Sequence, residues 1–284
     1  MSTPRKTPHK SCGIEGLKIE LDFLYEDYEY VKNQENSGDT IANYFESLTS
    51  KIFELAIGRY YLEGICTDDF MEMLKKSSLA ACNYFKLITN KGKEIQYNWE
   101  GGCYSAIYKD ERIHHTADSI LNCGLKAAII TNQNQEIEYL SNIDLSNIVV
   151  KNMLTGGAYS LRTLALQLLC SRNIKQGTEC FDTIEKLPPP SRNLDAKLID
   201  SECKILLALE KKHFDKLPKL IDDNLIIHKK MYDNDSRNLR YNYFGLISIH
   251  NLASLILARK KQMILGIKNQ YIPSDLFEAS IKNI

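Results

Sequence analysis

The chain has 284 residues, 36 Lys+Arg balanced by 36 Asp+Glu, and 44% hydrophobic residues. That balance excludes disordered and fibrous classes, and zero net charge argues against a dedicated nucleic-acid binder. With 7 prolines, none between Pro8 and Pro188, and only 14 glycines, the chain suits long helices better than many tight turns.

Residues 1–12 read as a flexible arm, and 13–284 as a single helical domain. Ile14, Leu17, Leu21, Leu24, Tyr28 and Val31 recur in steps of three and four, one stripe of a first helix. After the Asn36-Ser37-Gly38 break, Asp39 is placed to cap a second helix with the stripe Ile41, Phe45, Leu48, Ile52 and Leu55. Thr67 is expected to cap a third, with Asp68 and Asp69 at the positive end of its dipole. Its stripe is Phe70, Met73, Ser77, Ala81, Tyr84 and Ile88. Short connections between three such helices predict an antiparallel bundle.

Residues 91–110 break the pattern. Gly92 and Gly101-Gly102 flank the alternation Ile95, Tyr97, Trp99, which predicts an irregular insert or a small hairpin. Thr116 then caps a helix through Ile120, Leu121, Leu125, Ala128 and Ile129, and a shorter helix covers 137–143. Gly156-Gly157 opens the next, and the pair marks either a subdomain hinge near 155–157 or a turn within one continuous body. Helices at 177–187, 192–211, 213–232 and 241–264 follow, with a last short one after Pro273. No consistent 34-residue repeat runs through these pairs. The fold class is therefore all-α, a bundle continuing into helical hairpins.

The start of the chain carries basic residues but no apolar core of a secretory signal. The longest apolar run, Phe244–Ala258, is broken by His250 and Asn251 and falls short of the roughly 20 residues that span a bilayer. The 8 cysteines form no C-x-x-C pair and read as reduced, mostly buried thiols. These features predict a cytoplasmic protein with no membrane attachment. The sequon Asn234-Asp235-Ser236 is expected by chance.

Chemistry is sparse. Phosphate-loop, dinucleotide, nucleophile-elbow and zinc-helix motifs are all missing, so neither catalysis, a metal nor a cofactor is expected. Neighbouring His114 and His115 point about 100° apart on a helix and converge poorly on a metal. His250 reads as a core polar residue with satisfied hydrogen bonds rather than a buried acid–base group. Cys103 reads as a structural thiol.

Charge layout says more. Between Glu15 and Glu72 stand fourteen acids against four bases, a net −10, while residues 236–274 carry six bases and no acid. Asp22, Glu26 and Glu29 share one face of the first helix, away from its apolar stripe. Such a face is either a solvated surface or one that steers a basic partner. Interleaved tyrosines at 25, 28, 30, 44, 60 and 61 suit an interface as well as a core.

The run Tyr243-Phe244-Gly245-Leu246-Ile247-Ser248, then Leu252-Ala253, Gly266 and Tyr271-Ile272-Pro273, resembles the closing segment of the immunity protein 49 family. That segment is an apolar Leu/Ala-rich helix, a Gly past it, and Tyr-Ile/Leu-Pro before a last short helix. The stretch from Asp118 to Asp144 is similar to the family's middle helices. The resemblance covers about residues 115–284; the acidic N-terminal helices lie outside it, and Ile, Lys and Asn replace much of the family's Gly/Ala character. It implies a helical antidote of a bacterial polymorphic toxin system, one that neutralises its cognate toxin by stoichiometric binding without catalytic residues. A cytosolic antidote implies a cytosol-acting toxin, a nuclease with a basic phosphate-holding surface. On that reading Glu20, Asp22, Glu26, Asp27, Glu29, Asp68, Asp69 and Glu72 are the expected toxin-binding residues, and blocking the active site is the mechanism. The alternative is a helical-repeat-like adaptor holding a peptide or protein partner in a groove.

Overall fold

Apolar spacing of three and four residues dictates helices, and the computed structural model is mostly helical. It describes residues 14–32, 38–110, 116–145, 158–171, 174–232, 243–263 and 269–282. In chain order these form α1 (Ile14–Lys32), α2 (Gly38–Gly58), a π-helical turn (Arg59–Glu63) and α3 (Thr67–Thr89). Strands β1 (Glu94–Trp99) and β2 (Gly102–Ile107) follow, then α4 (Ala117–Ile130), α5 (Asn134–Ser141), α6 (Ala158–Cys170) and α7 (Ile174–Glu185). The chain continues through α8 (Leu194–Glu210), α9 (Leu217–Tyr232), a 3-10 turn (Tyr243–Gly245), α10 (Ile249–Lys260) and α11 (Ser274–Ile281). The arm, the His114-His115 pair, the Gly156-Gly157 hinge, the sequon, Arg237, Arg240, Gly266 and Lys268 lie outside the described residues.

The expected stripes become the core. Leu17, Leu21 and Leu24 of α1 are buried, as are Ile41, Phe45, Leu48, Ile52 and Leu55 of α2. Ser77 fits the α3 stripe because its hydroxyl donates to the Thr49 carbonyl at 2.7 Å. The insert is an antiparallel hairpin pairing Glu94 with Ile107 through Trp99 with Gly102. Glu100 (φ 45°) and Gly101 (φ 82°) form its two-residue turn, the left-handed geometry that matches strand twist. Tyr97 and Trp99 set their edges against Phe45 at 5.4 and 5.2 Å, clamping the hairpin onto α2.

Several helix ends differ from expectation. Thr67 does not cap α3: Cys66 does, its Sγ accepting from the Asp69 amide at 3.4 Å. Thr116 stands at the cap position of α4, but its hydroxyl donates instead to Glu46 at 2.6 Å, tying α4 to α2. The helix expected at 241–264 starts only at Ile249. Ahead of it, Gly245 lies so close to the Tyr232 ring that a Cβ there would sit 2.6 Å from it, and the Ser248 amide bonds the Tyr271 carbonyl at 2.8 Å. Helix α9 starts at Leu217 rather than 213, placing Pro218 in a first turn where its missing N–H costs nothing.

Polar contacts bind the two ends of the chain together. Tyr61 donates to the Leu246 carbonyl at 3.1 Å, and Tyr243 donates to the Leu17 carbonyl. Tyr60 and Thr67 both donate to Asp275, at 2.6 and 3.3 Å. Helices α3 and α4 meet at Gly124, where a Cβ would lie 2.3 Å from the Ala81 Cβ. Gly124→Ala is therefore expected to lower stability by about 1–3 kcal/mol despite the better helix propensity of alanine. Urea midpoints check this; Ala81→Gly in the same chain should restore part of the loss, and an undiminished Gly124→Ala midpoint would contradict the close approach.

Candidate functional site

Helix α1 carries apolar residues on two faces. Leu17, Leu21 and Leu24 go inward, while Ile19, Phe23 and Tyr30, at i, i+4 and i+11, are 56%, 57% and 68% exposed. Around this outer row stand Glu20, Asp22, Glu26, Asp27 and Glu29, all exposed. Asp68, Asp69 and Glu72 are exposed in the first turns of α3. The predicted acids thus fall on two helices, α1 and the first turns of α3, as their positions in the sequence implied.

Their surroundings differ. Asp27 pairs with Lys51 and Glu72 with Lys75, exposed pairs worth at most about 1 kcal/mol each. Burial, with Asp27 and Glu20 nearby, raises the Glu54 carboxyl above its ordinary value, against the pull of Lys51. Arg59 stands between the two groups: Nε donates to Glu63 at 2.7 Å, and Tyr25 donates to the same carboxylate at 2.7 Å. Asp68 and Asp69 also favour the start of α3 through its dipole, which gives them a structural task of their own. Sequence reasoning missed Ile19 and Phe23 as surface residues. The available signal was that both fall off the 14-17-21-24-28-31 stripe and so cannot share its burial.

A second arrangement, which charge counting along the chain did not bring out, lies between α4, α6, α8 and α10. Four ionisable side chains sit on mostly apolar helix faces there: Lys126, Arg162, Glu202 and His250. Arg162 Nη1 donates to Glu202 Oε2 at 2.7 Å, and the same oxygen is 3.9 Å from His250 Nδ1. Lys126 is 8% exposed and makes no ion pair or hydrogen bond among the described residues. These side chains line one wall of a cavity of about 320 Å³. Its other walls are largely apolar and include Phe53, Ile199, Met231 and Phe244.

Burial and charge act against each other in this group. Burial lowers Lys126 to about 8, aided by Arg162 and opposed by Glu202. Burial also lowers His250 to about 3, overriding the attraction of Glu202 and keeping the ring neutral. For Glu202 burial works upward, but the pull of His250, Lys126 and Arg162 leaves it near 2. Since His250 is neutral near pH 7, the lasting part of that pull comes from Arg162 and Lys126. Both His250 ring nitrogens lack a hydrogen-bond partner among the described residues, so the expected satisfied core histidine is corrected. Its neighbour Asn251 does bond through its amide, to Asn224 at 2.7 Å and Ser248 at 2.9 Å.

Set against known proteins, the chain matches no family model, no curated protein and no solved structure. Among the described residues no group of three His, Cys, Asp or Glu could hold a metal ion. No described helix is long and apolar enough to cross a membrane. Of the seven described cysteines, Cys82, Cys180 and Cys203 are buried and Cys123 and Cys170 partly buried, whereas Cys66 and Cys103 are exposed.

The cluster sets an acid dependence. The folded chain keeps His250 neutral down to about 3, whereas the unfolded chain protonates it near its ordinary 6.5. Arg162 and Lys126 keep Glu202 ionised below its ordinary 4.5 when folded, whereas its unfolded form protonates near 4.5. In both cases the unfolded state binds the proton first, so stability falls as pH drops through these windows. Urea denaturation of His250→Gln should show a shallower loss between pH 6 and 4, by about one proton. A slope identical to that of the native chain would contradict a buried neutral imidazole.

Proposed function

We propose that the chain is an immunity protein that neutralises a cognate bacterial toxin by stoichiometric binding, with the outer face of α1 seated on the toxin. The observation that carries this reading is the exposed row Ile19, Phe23 and Tyr30 set among Glu20, Asp22, Glu26, Asp27 and Glu29. Protein interfaces have an aromatic and apolar centre and a polar rim, and their binding energy concentrates in a few large side chains. Three large apolar groups left outside while Leu17, Leu21 and Leu24 pack inward fit that anatomy. An acidic rim favours a basic partner, which is the surface a nuclease needs for phosphates. The resemblance of residues 115–284 to the immunity protein 49 family points the same way, and an antiparallel bundle continued by helical hairpins would hold α1 rigidly.

On this reading the protein occludes the toxin's active site. The acids raise the encounter rate and the apolar row slows release. Asp68, Asp69 and Glu72 extend the acidic field, with Asp27 and Glu72 partly neutralised by their lysines.

The test is to sequence the genes beside this one and co-express the chain with any toxin domain they encode; neighbours that encode no toxin would contradict the reading. The native chain should restore growth. Phe23→Asp should weaken the purified complex by about 30-fold or more, chiefly through faster dissociation. Changing Asp22, Glu26 and Glu29 to Lys should slow association about tenfold and flatten its dependence on salt. Circular dichroism verifies folding of each variant. Full protection by Phe23→Asp, with unchanged kinetics, would remove α1 from the interface.

A further inference from the structure

We infer that the cavity between α4, α6, α8 and α10 is a binding site for a small organic monocarboxylate, its carboxylate held by Lys126 and Arg162 and its apolar body against Phe53, Ile199 and Phe244. This site is separate from the α1 face and does not rest on the proposed toxin binding.

Charge is the first ground. Near pH 7 the lining carries Lys126 and Arg162 as cations, Glu202 and Asp195 as carboxylates and His250 as a neutral ring, so it is neutral overall and the unanswered charge is the local one at Lys126. Glu202 answers Arg162 at 2.7 Å, whereas Lys126 has no ion pair among the described residues. A buried ammonium without a counter-ion is costly, and an entering carboxylate supplies one.

The second ground is an unmet donor. His250 is 4% exposed, lines the cavity and has no partner at either ring nitrogen. A neutral imidazole keeps one N–H, which a carboxylate oxygen can accept.

Shape supplies the third. At about 320 Å³ the cavity falls at the small end of ligand pockets, which run roughly 300–1,000 Å³. The rings of Phe53 and Phe244 lie 5.7 Å apart and offer an aromatic wall. Asp195 also lines the cavity, seven residues before Glu202 on α8, about 10 Å along the helix. That half-buried carboxylate opposes a second negative charge on the ligand, so a monoanion with an apolar tail fits better than a phosphate or a dicarboxylate. Exposed Ser119 marks the mouth.

Calorimetric titration and thermal unfolding of the full chain test the site, using 3-phenylpropionate, hexanoate, the neutral 3-phenylpropionamide and inorganic phosphate. The expected result is saturable one-to-one binding of 3-phenylpropionate with a raised Tm and no saturable binding of the amide. Lys126→Met should weaken 3-phenylpropionate at least about tenfold, with Lys126→Arg recovering part of the affinity. Ser119→Trp changes only an exposed position at the mouth and should also reduce binding, which keeps the test open if Lys126→Met does not fold. Absence of saturable binding by either carboxylate would overturn the site. So would equal binding of the amide, tighter binding of phosphate, or full affinity in Ser119→Trp.

Discussion

The ion pair between Arg162 and Glu202 constrains the centre of the molecule. Both side chains are largely buried, 15% and 9% exposed, so each depends on the other for part of the hydration it has lost. Removing one partner of such a pair typically costs about 3–5 kcal/mol, because the remaining charge stays buried and unanswered. The pair therefore locks α6 to α8, and Lys126 and His250 bring α4 and α10 to the same point. Around it the Ser201–Asn224–Asn251–Ser248 chain of hydrogen bonds joins α8, α9 and the start of α10. A wholly apolar seam would pack as tightly. Keeping charges there instead gives the cavity one charged wall facing apolar ones.

The N-terminal helices solve a different problem. Helix α1 has more apolar surface than α2 and the π-helical turn cover, so one face stays in water. Its inner face is fixed at several levels: Leu17, Leu21 and Leu24 pack inward, Tyr25 bonds Glu63, and the Leu17 carbonyl takes the Tyr243 hydroxyl. The outer row is consequently presented by an anchored helix rather than by a loop. Anchoring lowers the ordering cost of association, which favours affinity at a given area. Acids around the row keep it hydrated, and an acidic rim of this kind favours positively charged surfaces.

Periodicity made most of the helices legible, because burial on one side leaves apolar residues every three or four positions. The hairpin was legible from Ile95, Tyr97 and Trp99 with glycines at its turn. Helix ends were less so. A cysteine capping α3 and a glycine pressed against Tyr232 depend on tertiary neighbours that local spacing does not contain. The acidic set and its division between α1 and α3 were legible from charge counting and periodicity, and the outward turn of Ile19 and Phe23 follows from their falling off the buried stripe, whereas the pairing of Asp27 with Lys51 depends on tertiary packing. The buried cluster draws one side chain from each of four helices, spread from Lys126 to His250. Only a charge placed on an apolar face hinted at each member.

The proposed docking of the outer face of α1 on a protein partner is tested most directly by hydrogen–deuterium exchange of the chain with and without a candidate toxin domain that it binds. Docking there predicts slower exchange confined mainly to residues 19–30 and the start of α3. Unchanged exchange along α1, with protection appearing instead on the C-terminal helices, would contradict it.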